Sequence, residues 1–318
     1  MMRRFATIIV AILLVLTACG GDDDGGGFDA DAFTGIDVTV GSKNFTEQYV
    51  LSEILIQALA ARGANVTDAT DTGDTPTTRA ALLGGDIDLY WEYNSTGWVE
   101  HLGQADPPNP EGEELTESVA AIDSERNSIE WIGRSSFNDT YGFAASPAIA
   151  EETRASRITV EAFDLDAMAE YLEDNSDTIV CVEPEFPGRA DGLVLFEEAT
   201  GFAIPQDRIR VFENAADVYE AVATGTCDFG EIFTTDGRID SLDLTVVVDP
   251  GVFYVYNVSL NIPTGLYERA PEAWDDLVAE ILAPLSQNRI TELNRRVAEG
   301  EPLSEVAADF IRAFRING

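Results

Sequence analysis

Short apolar runs and segments of helical period alternate along almost the whole chain, and that alternation is the tightest constraint on its fold. Val38–Ser42 reads as a strand. Thr46–Arg62 reads as an amphipathic helix, with Val50, Leu51, Ile54, Leu55, Ala58 and Leu59 at helical spacing and Gly63 as its stop. Asn65–Ala69 is a short strand and Thr77–Gly84 a short helix. Further strands are expected at Ile129–Ile132, Tyr141–Ala145, Thr178–Val182, Arg208–Phe212, Cys227–Phe233, Leu244–Val248 and Val252–Ile262. Helices are expected at Leu115–Arg126, Ala162–Glu173, Leu193–Thr200 and Ala215–Thr224, and from Pro271 the chain reads as two or three helices interrupted at Pro284 and Pro302. This order predicts α/β architecture with mostly parallel sheets. At 318 residues, two α/β lobes fit better than one very large sheet. The terminal helices are expected to return to the first lobe, so that two crossovers join the lobes.

Gly85–Trp98, GDIDLYWEYNSTGW, is the most suggestive stretch. Ile87, Leu89 and Trp91 alternate against Asp86, Asp88 and Tyr90, a strand pattern. Asn94–Gly97 then reads as a loop. Tyr93, Thr96 and Trp98 thus fall at the end of a strand, where open α/β sheets bind their ligands.

Composition excludes several functions. Acidic residues outnumber basic ones 58 to 19, for a formal net charge of −39. Such a surface repels nucleic acid and anionic membrane. Lys43 is the sole lysine and His101 the sole histidine; His101 lies in a polar run and is read as exposed. A Ser–His–Asp triad or a multi-histidine metal centre is therefore very hard to build. Carboxylate pairs such as Asp86 with Asp88, or Glu183 with Glu185, arise by chance in so acidic a chain. No phosphate-binding loop or dinucleotide fingerprint follows the first strand. We expect neither an enzyme nor a cofactor.

Arg3 and Arg4 precede the apolar run Phe5–Leu16, then LTAC at Leu16–Cys19 and GGDDDGGG at Gly20–Gly27. This is the pattern of a secretory signal, and its run is short of the about 20 residues that span a bilayer. LTAC resembles a bacterial lipobox, which implies residues 1–18 as a cleaved signal and Cys19 as the lipidated first residue. Residues 19–35 would form an acidic Gly/Asp tether. Cys181 and Cys227 remain, and either a disulfide or two buried thiols suits an exported protein.

VGSKNFTEQ, Val40–Gln48, sets the sole lysine between a strand and a helix N-terminus, a natural anion site. With GDIDLYWEYNSTGW, FNDTYGFA at Phe137–Ala144 and TTDGRI at Thr234–Ile239, it resembles the substrate-binding proteins of bacterial and archaeal ABC transporters for glycine betaine, choline and related osmoprotectants. The match runs in order over roughly residues 36–314. It implies a two-lobe fold of the periplasmic-binding-protein type with a cleft between lobes. We place the first lobe at 36–140 and 250–318 and the second at 141–249.

The ligand's chemistry explains these residues. A trimethylammonium group has no N–H to donate, so aromatic faces hold it by cation–π attraction and a dry wall. The resemblance puts Tyr93, Tyr141, Phe233 and Tyr256 on cage positions. Phe233 stands where relatives usually carry Tyr, and Tyr254 is a rival for Tyr256 two residues away. Lys43 and Arg189 would meet a carboxylate, Thr96 would donate a hydroxyl, and Asp139 would face the ammonium; Gln48 is a weaker candidate. Glu231, Asp236 and Arg238 are read as fixing the Phe233 loop or touching the transporter. The expected partners are a quaternary-ammonium solute, a membrane permease, and the membrane itself through the lipid. Rival readings are a choline- or carnitine-preferring protein, or one for another small zwitterion such as an amino acid.

Overall fold

The computed structural model describes residues 29–105, 107, 112–155 and 163–316. The signal and Cys19 lie outside them. In the first lobe, β1 (Asp37–Lys43) and β2 (Asn65–Gly73) pair in parallel through the helix Thr46–Ala61. The apolar stripe of that helix is fully buried, from Val50 to Leu59. A bridge from Val40 to Leu89 brings in the next segment, which continues as β3 (Tyr90–Tyr93). β3 and β4 (Ile129–Ile132) flank β10 (Val258–Pro263). The helices Pro271–Leu282, Gln287–Ala298 and Leu303–Phe314 return to pack on Thr46–Ala61.

The second lobe is a five-stranded sheet in the order β7 (Ile209–Val211), β6 (Val180–Val182), β8 (Phe229–Phe233), β5 (Tyr141–Ala145), β9 (Thr245–Val246). Cys181 and Cys227 form a disulfide beneath it.

The sheets are mixed rather than mostly parallel. β10 runs antiparallel to both β3 and β4, and β5 runs antiparallel to β8 and β9. β5 begins where the chain enters the second lobe, and β10 where it has come back. Each therefore inserts against the direction of the strands wound by βαβ units, β6 with β7 and β6 with β8. The two crossovers lie side by side. Asp139 N–H donates to the Tyr256 carbonyl at 3.0 Å, and Thr140 Oγ1 donates to the Tyr254 carbonyl at 2.7 Å. Those bonds keep 252–257 out of any sheet, so the expected long strand starts only at Val258.

Three local expectations also change. Asn94–Thr96 is a helical turn, continued by a wider turn at Gly97–His101, not a loop. The Asn94 side chain drives it, because Oδ1 accepts the Ser95 N–H at 2.8 Å and the Asn257 N–H at 3.0 Å. Gly97 is required there, since a Cβ would stand 2.4 Å from the Trp131 ring. The His101 side chain is buried, not exposed, 4% accessible against Glu92. The end of the expected tether is packed: Phe33 is fully buried, its ring 4.5 Å from Trp274.

Candidate ligand-binding site

Eight of the residues singled out from the sequence, Lys43, Tyr93, Thr96, Asp139, Tyr141, Arg189, Phe233 and Tyr256, line one cavity of about 420 Å³. Lys43, Tyr93 and Thr96 reach it from the ends of β1 and β3, and Asp139 and Tyr256 from the two crossovers. Tyr141, Phe233 and Arg189 reach it from the start of β5, the end of β8 and the turn after β6. Tyr256 lines the wall and Tyr254 does not.

The rings form a continuous arc. Tyr141 lies 5.3 Å from Phe233 and 5.4 Å from Tyr256, edge to face with the latter. Phe45 stacks at 5.4 Å on Phe233 and at 6.2 Å near Tyr93, closing the arc between the lobes. Phe45 was missed from the sequence, although it stands inside SKNFTEQ, two residues after the lysine that drew attention.

Both cations already have partners. Lys43 Nζ meets Glu92 at 2.6 Å and sits 5.1 Å from the Tyr93 ring centre. Burial alone would push the Glu92 carboxyl up; Lys43 and His101 outweigh it and hold the group well below the usual carboxylate range. Arg189 is clamped by both oxygens of Asp191, at 2.8 and 2.7 Å, and by Glu185 at 3.0 Å. It also reaches Thr96 Oγ1 and Thr75 Oγ1, each at 3.4 Å, so it ties the lobes together. Glu185 accepts the Thr75 N–H at 2.9 Å, at the N-terminus of the helix Thr75–Gly84. Tyr256 OH donates to Asp191 at 2.9 Å.

The opposite wall is acidic. Glu231, expected to fix the Phe233 loop or touch the transporter rather than meet the ligand, lines the cavity and accepts the Glu183 N–H at 2.8 Å. Burial, then the charge of Glu185, raises Glu183 to about 7. Burial and the charge of Glu183 raise Glu231 well above its ordinary value. Asp139 is raised to about 6, mainly by burial. Asp236 and Arg238 pair with each other at 2.8 Å and do not line this cavity. Gln48 is buried behind the wall, its Oε1 accepting the Lys43 N–H at 3.4 Å.

Two α/β lobes joined by paired crossovers, enclosing an aromatic-walled cavity, define a solute-binding protein of the two-lobe periplasmic type. Residues 36–313 match the model for the substrate binding domain of the ABC-type glycine betaine transport system, and the chain belongs to that family. It is similar to a glycine-betaine-binding protein of Pseudomonas aeruginosa, 31% identical over 87% of this chain and 88% of that one. The glycine betaine-binding protein YehZ of Escherichia coli K12 is 28% identical, over 86% of this chain and 90% of the relative. The structure of apo YehZ superposes with a TM-score of 0.62 at 27% identity, covering 87% of this chain and 98% of that one. A glycine betaine/carnitine/choline ABC transporter structure gives 0.68 at 20% identity over 89% and 100%, a likeness of fold. The family consists of transport components that bind substrate rather than convert it.

Proposed function

We propose that this protein is a lipid-anchored, extracytoplasmic receptor that captures glycine betaine or a related quaternary-ammonium osmoprotectant and delivers it to a permease. Lobes at 36–140 with 250–318 and at 141–249 would close on the ligand and present a shape distinct from the open form. The observation that carries this reading is the arc of Phe45, Tyr93, Tyr141, Phe233 and Tyr256 around a cavity with carboxylates at its wall. Such rings favour a methylated cation. Lys43 and Arg189, while still paired with Glu92 and Asp191, hold the ligand's carboxylate, and Cys19 carries the lipid.

Titration calorimetry with betaine, choline, carnitine and proline betaine tests the reading. Saturable binding of at least one is expected, with betaine ahead of choline; no binding to any would overturn it. Mass spectrometry of the mature N-terminus tests Cys19, since a chain cut elsewhere has no anchor there.

A second reading is favoured by the pairing of both cations. With Lys43 on Glu92 and Arg189 on Asp191, a ligand lacking a carboxylate forfeits little. Choline ahead of betaine in direct competition would establish that order.

A further inference from the structure

At the hydroxyl end of Tyr93, on the edge of the ligand cavity, two carboxylates meet one hydroxyl. Thr235 Oγ1 stands 2.5 Å from Glu47 Oε2 and 2.5 Å from Asp139 Oδ1. A hydroxyl has one hydrogen to donate. It can serve one of these oxygens, and the other contact is a hydrogen bond only if that carboxyl brings a proton of its own. Two ionised carboxylates on one hydroxyl would leave a buried repulsion. Neither acid forms an ion pair among the described residues.

The surroundings say which acid carries the proton. Asp139 lines the ligand cavity, where a cation favours its ionised form; Glu47 does not line it. Glu47 is 3% exposed and fully engaged. Its Oε1 accepts the Tyr93 hydroxyl at 2.8 Å, and its Oε2 takes an N–H of Asn294 at 3.2 Å. Burial first, then the charge of Asp139, pushes Glu47 well up. The other charged groups near the cluster are Asp236 and Arg238, paired with each other, and Arg238 reaches Thr46 Oγ1 at 3.4 Å. From the β3 side stand Tyr93 and, beyond its ring, Lys43, which is held by Glu92.

We infer that Glu47 is a positioning residue that works as a neutral acid: it donates to Thr235 of the second lobe while fixing the Tyr93 ring of the first, so that lobe closure on the ligand takes up one proton. The inference rests on the capture reading above. In the open form, water reaches Glu47 and its pKa returns toward the ordinary carboxylate range. Closure then binds a proton at any pH between the open and closed values, and affinity falls as pH rises through that window. Glu183 and Glu231 on the far wall titrate as well and do not touch Glu47, whereas Asp139, raised to about 6, shares the Thr235 hydroxyl with it, so the proton taken up is counted for the pair.

The test is calorimetry with glycine betaine, or with whichever of the four solutes wild type binds, from pH 5 to 8, on wild type and Glu47→Gln. Glutamine imitates the protonated acid: its amide donates to Thr235 and its oxygen accepts from Tyr93. Its amide also meets the Asn294 N–H, a fixed cost at every pH. The ratio of affinities, variant over wild type, should grow as pH rises from 5 to 8, by about tenfold for each pH unit that lies inside the window. A ratio constant with pH overturns the inference. A wild type that binds none of the solutes overturns the capture reading instead. Should the variant not fold, infrared difference spectra of wild type on ligand addition at pH 7 carry the test. The protonated-carboxyl band gained on ligand addition should be missing from the same spectra of Thr235→Val, which has no oxygen to take the Glu47 proton, and equal bands in the two overturn the inference.

Discussion

Replacing Glu92 by glutamine separates the two jobs of Lys43. Glu92 is fully buried and gathers four donors: Lys43 Nζ at 2.6 Å, His101 Nε2 at 2.7 Å, Tyr90 OH at 2.9 Å and the Tyr93 N–H at 2.7 Å. An amide of the same shape keeps some of these bonds and none of the charge. Lys43 is 4% exposed, so it is left as a buried cation without a counter-charge. Breaking such a pair by one partner costs about 3–5 kcal/mol. Urea unfolding at pH 7 should show that loss. The sign with pH follows from the depressed pKa of Glu92. Its contribution is present above the unfolded value of about 4.3 and is lost as pH falls through the lower folded value. The gap between wild type and variant should be flat from about pH 5 to 7 and shrink below about pH 4. The ligand supplies the second readout. A betaine carboxylate restores a counter-charge to Lys43, and choline cannot. Recovering 1.4 kcal/mol of the loss is a tenfold change, so the betaine-to-choline affinity ratio should rise by about tenfold or more. An unchanged ratio would refute the assignment of Lys43 to the ligand's acid, and an unchanged urea midpoint would refute the buried pair.

Tyr93→Ala removes a desolvated cation–π contact of about 2 kcal/mol and should weaken betaine binding about thirtyfold, read by calorimetry. Phe45→Ala, at a more open ring, should cost about fivefold on the same scale. 3,3-Dimethylbutan-1-ol has the shape of choline without its charge and should bind at least about thirtyfold more weakly, measured by competition. Reducing the Cys181–Cys227 bond, which links residues 46 apart, should lower unfolding free energy by about 4 kcal/mol. A reductant should shift the urea midpoint of wild type and leave that of Cys181→Ser unmoved.

The tyrosines that line the cavity were legible because each stands in or beside a motif the chain shares with the resembled family, Tyr93 at the end of β3, Tyr141 at the start of β5 and Tyr256 in a crossover. The partners of the charges were not. Glu92 lies within WEYNSTG, yet Tyr90 to Tyr93 are all buried, since both faces of β3 are covered. The period-2 signal that separates inside from outside vanishes in such a strand. His101 looked exposed in its polar run, and its burial depends on Glu92, nine residues back, arriving at the same point. The antiparallel strands escaped for a related reason. Alternation of strand and helix records what is wound locally, whereas the direction of β10 depends on where a distant segment re-enters the sheet.

Charge around the cavity decides which part of a ligand is essential. Its lining carries the cations Lys43 and Arg189 against Asp74, Asp139, Glu183, Glu185, Glu213 and Glu231. Closing the lobes takes several of these carboxylates out of water, which is costly unless a proton or a cation joins them. The raised values of Glu183 and Asp139 express the proton's share of that task. On the proposed reading, a quaternary ammonium seated against the rings would take it over without needing a hydrogen-bond acceptor. A ligand carboxylate, by contrast, enters where Lys43 and Arg189 are already held by Glu92 and Asp191, so its gain is the difference between two occupied states. On the proposed reading, the cation is therefore the part of a ligand that this cavity rewards most, and the acid at the far end ranks one such ligand against another.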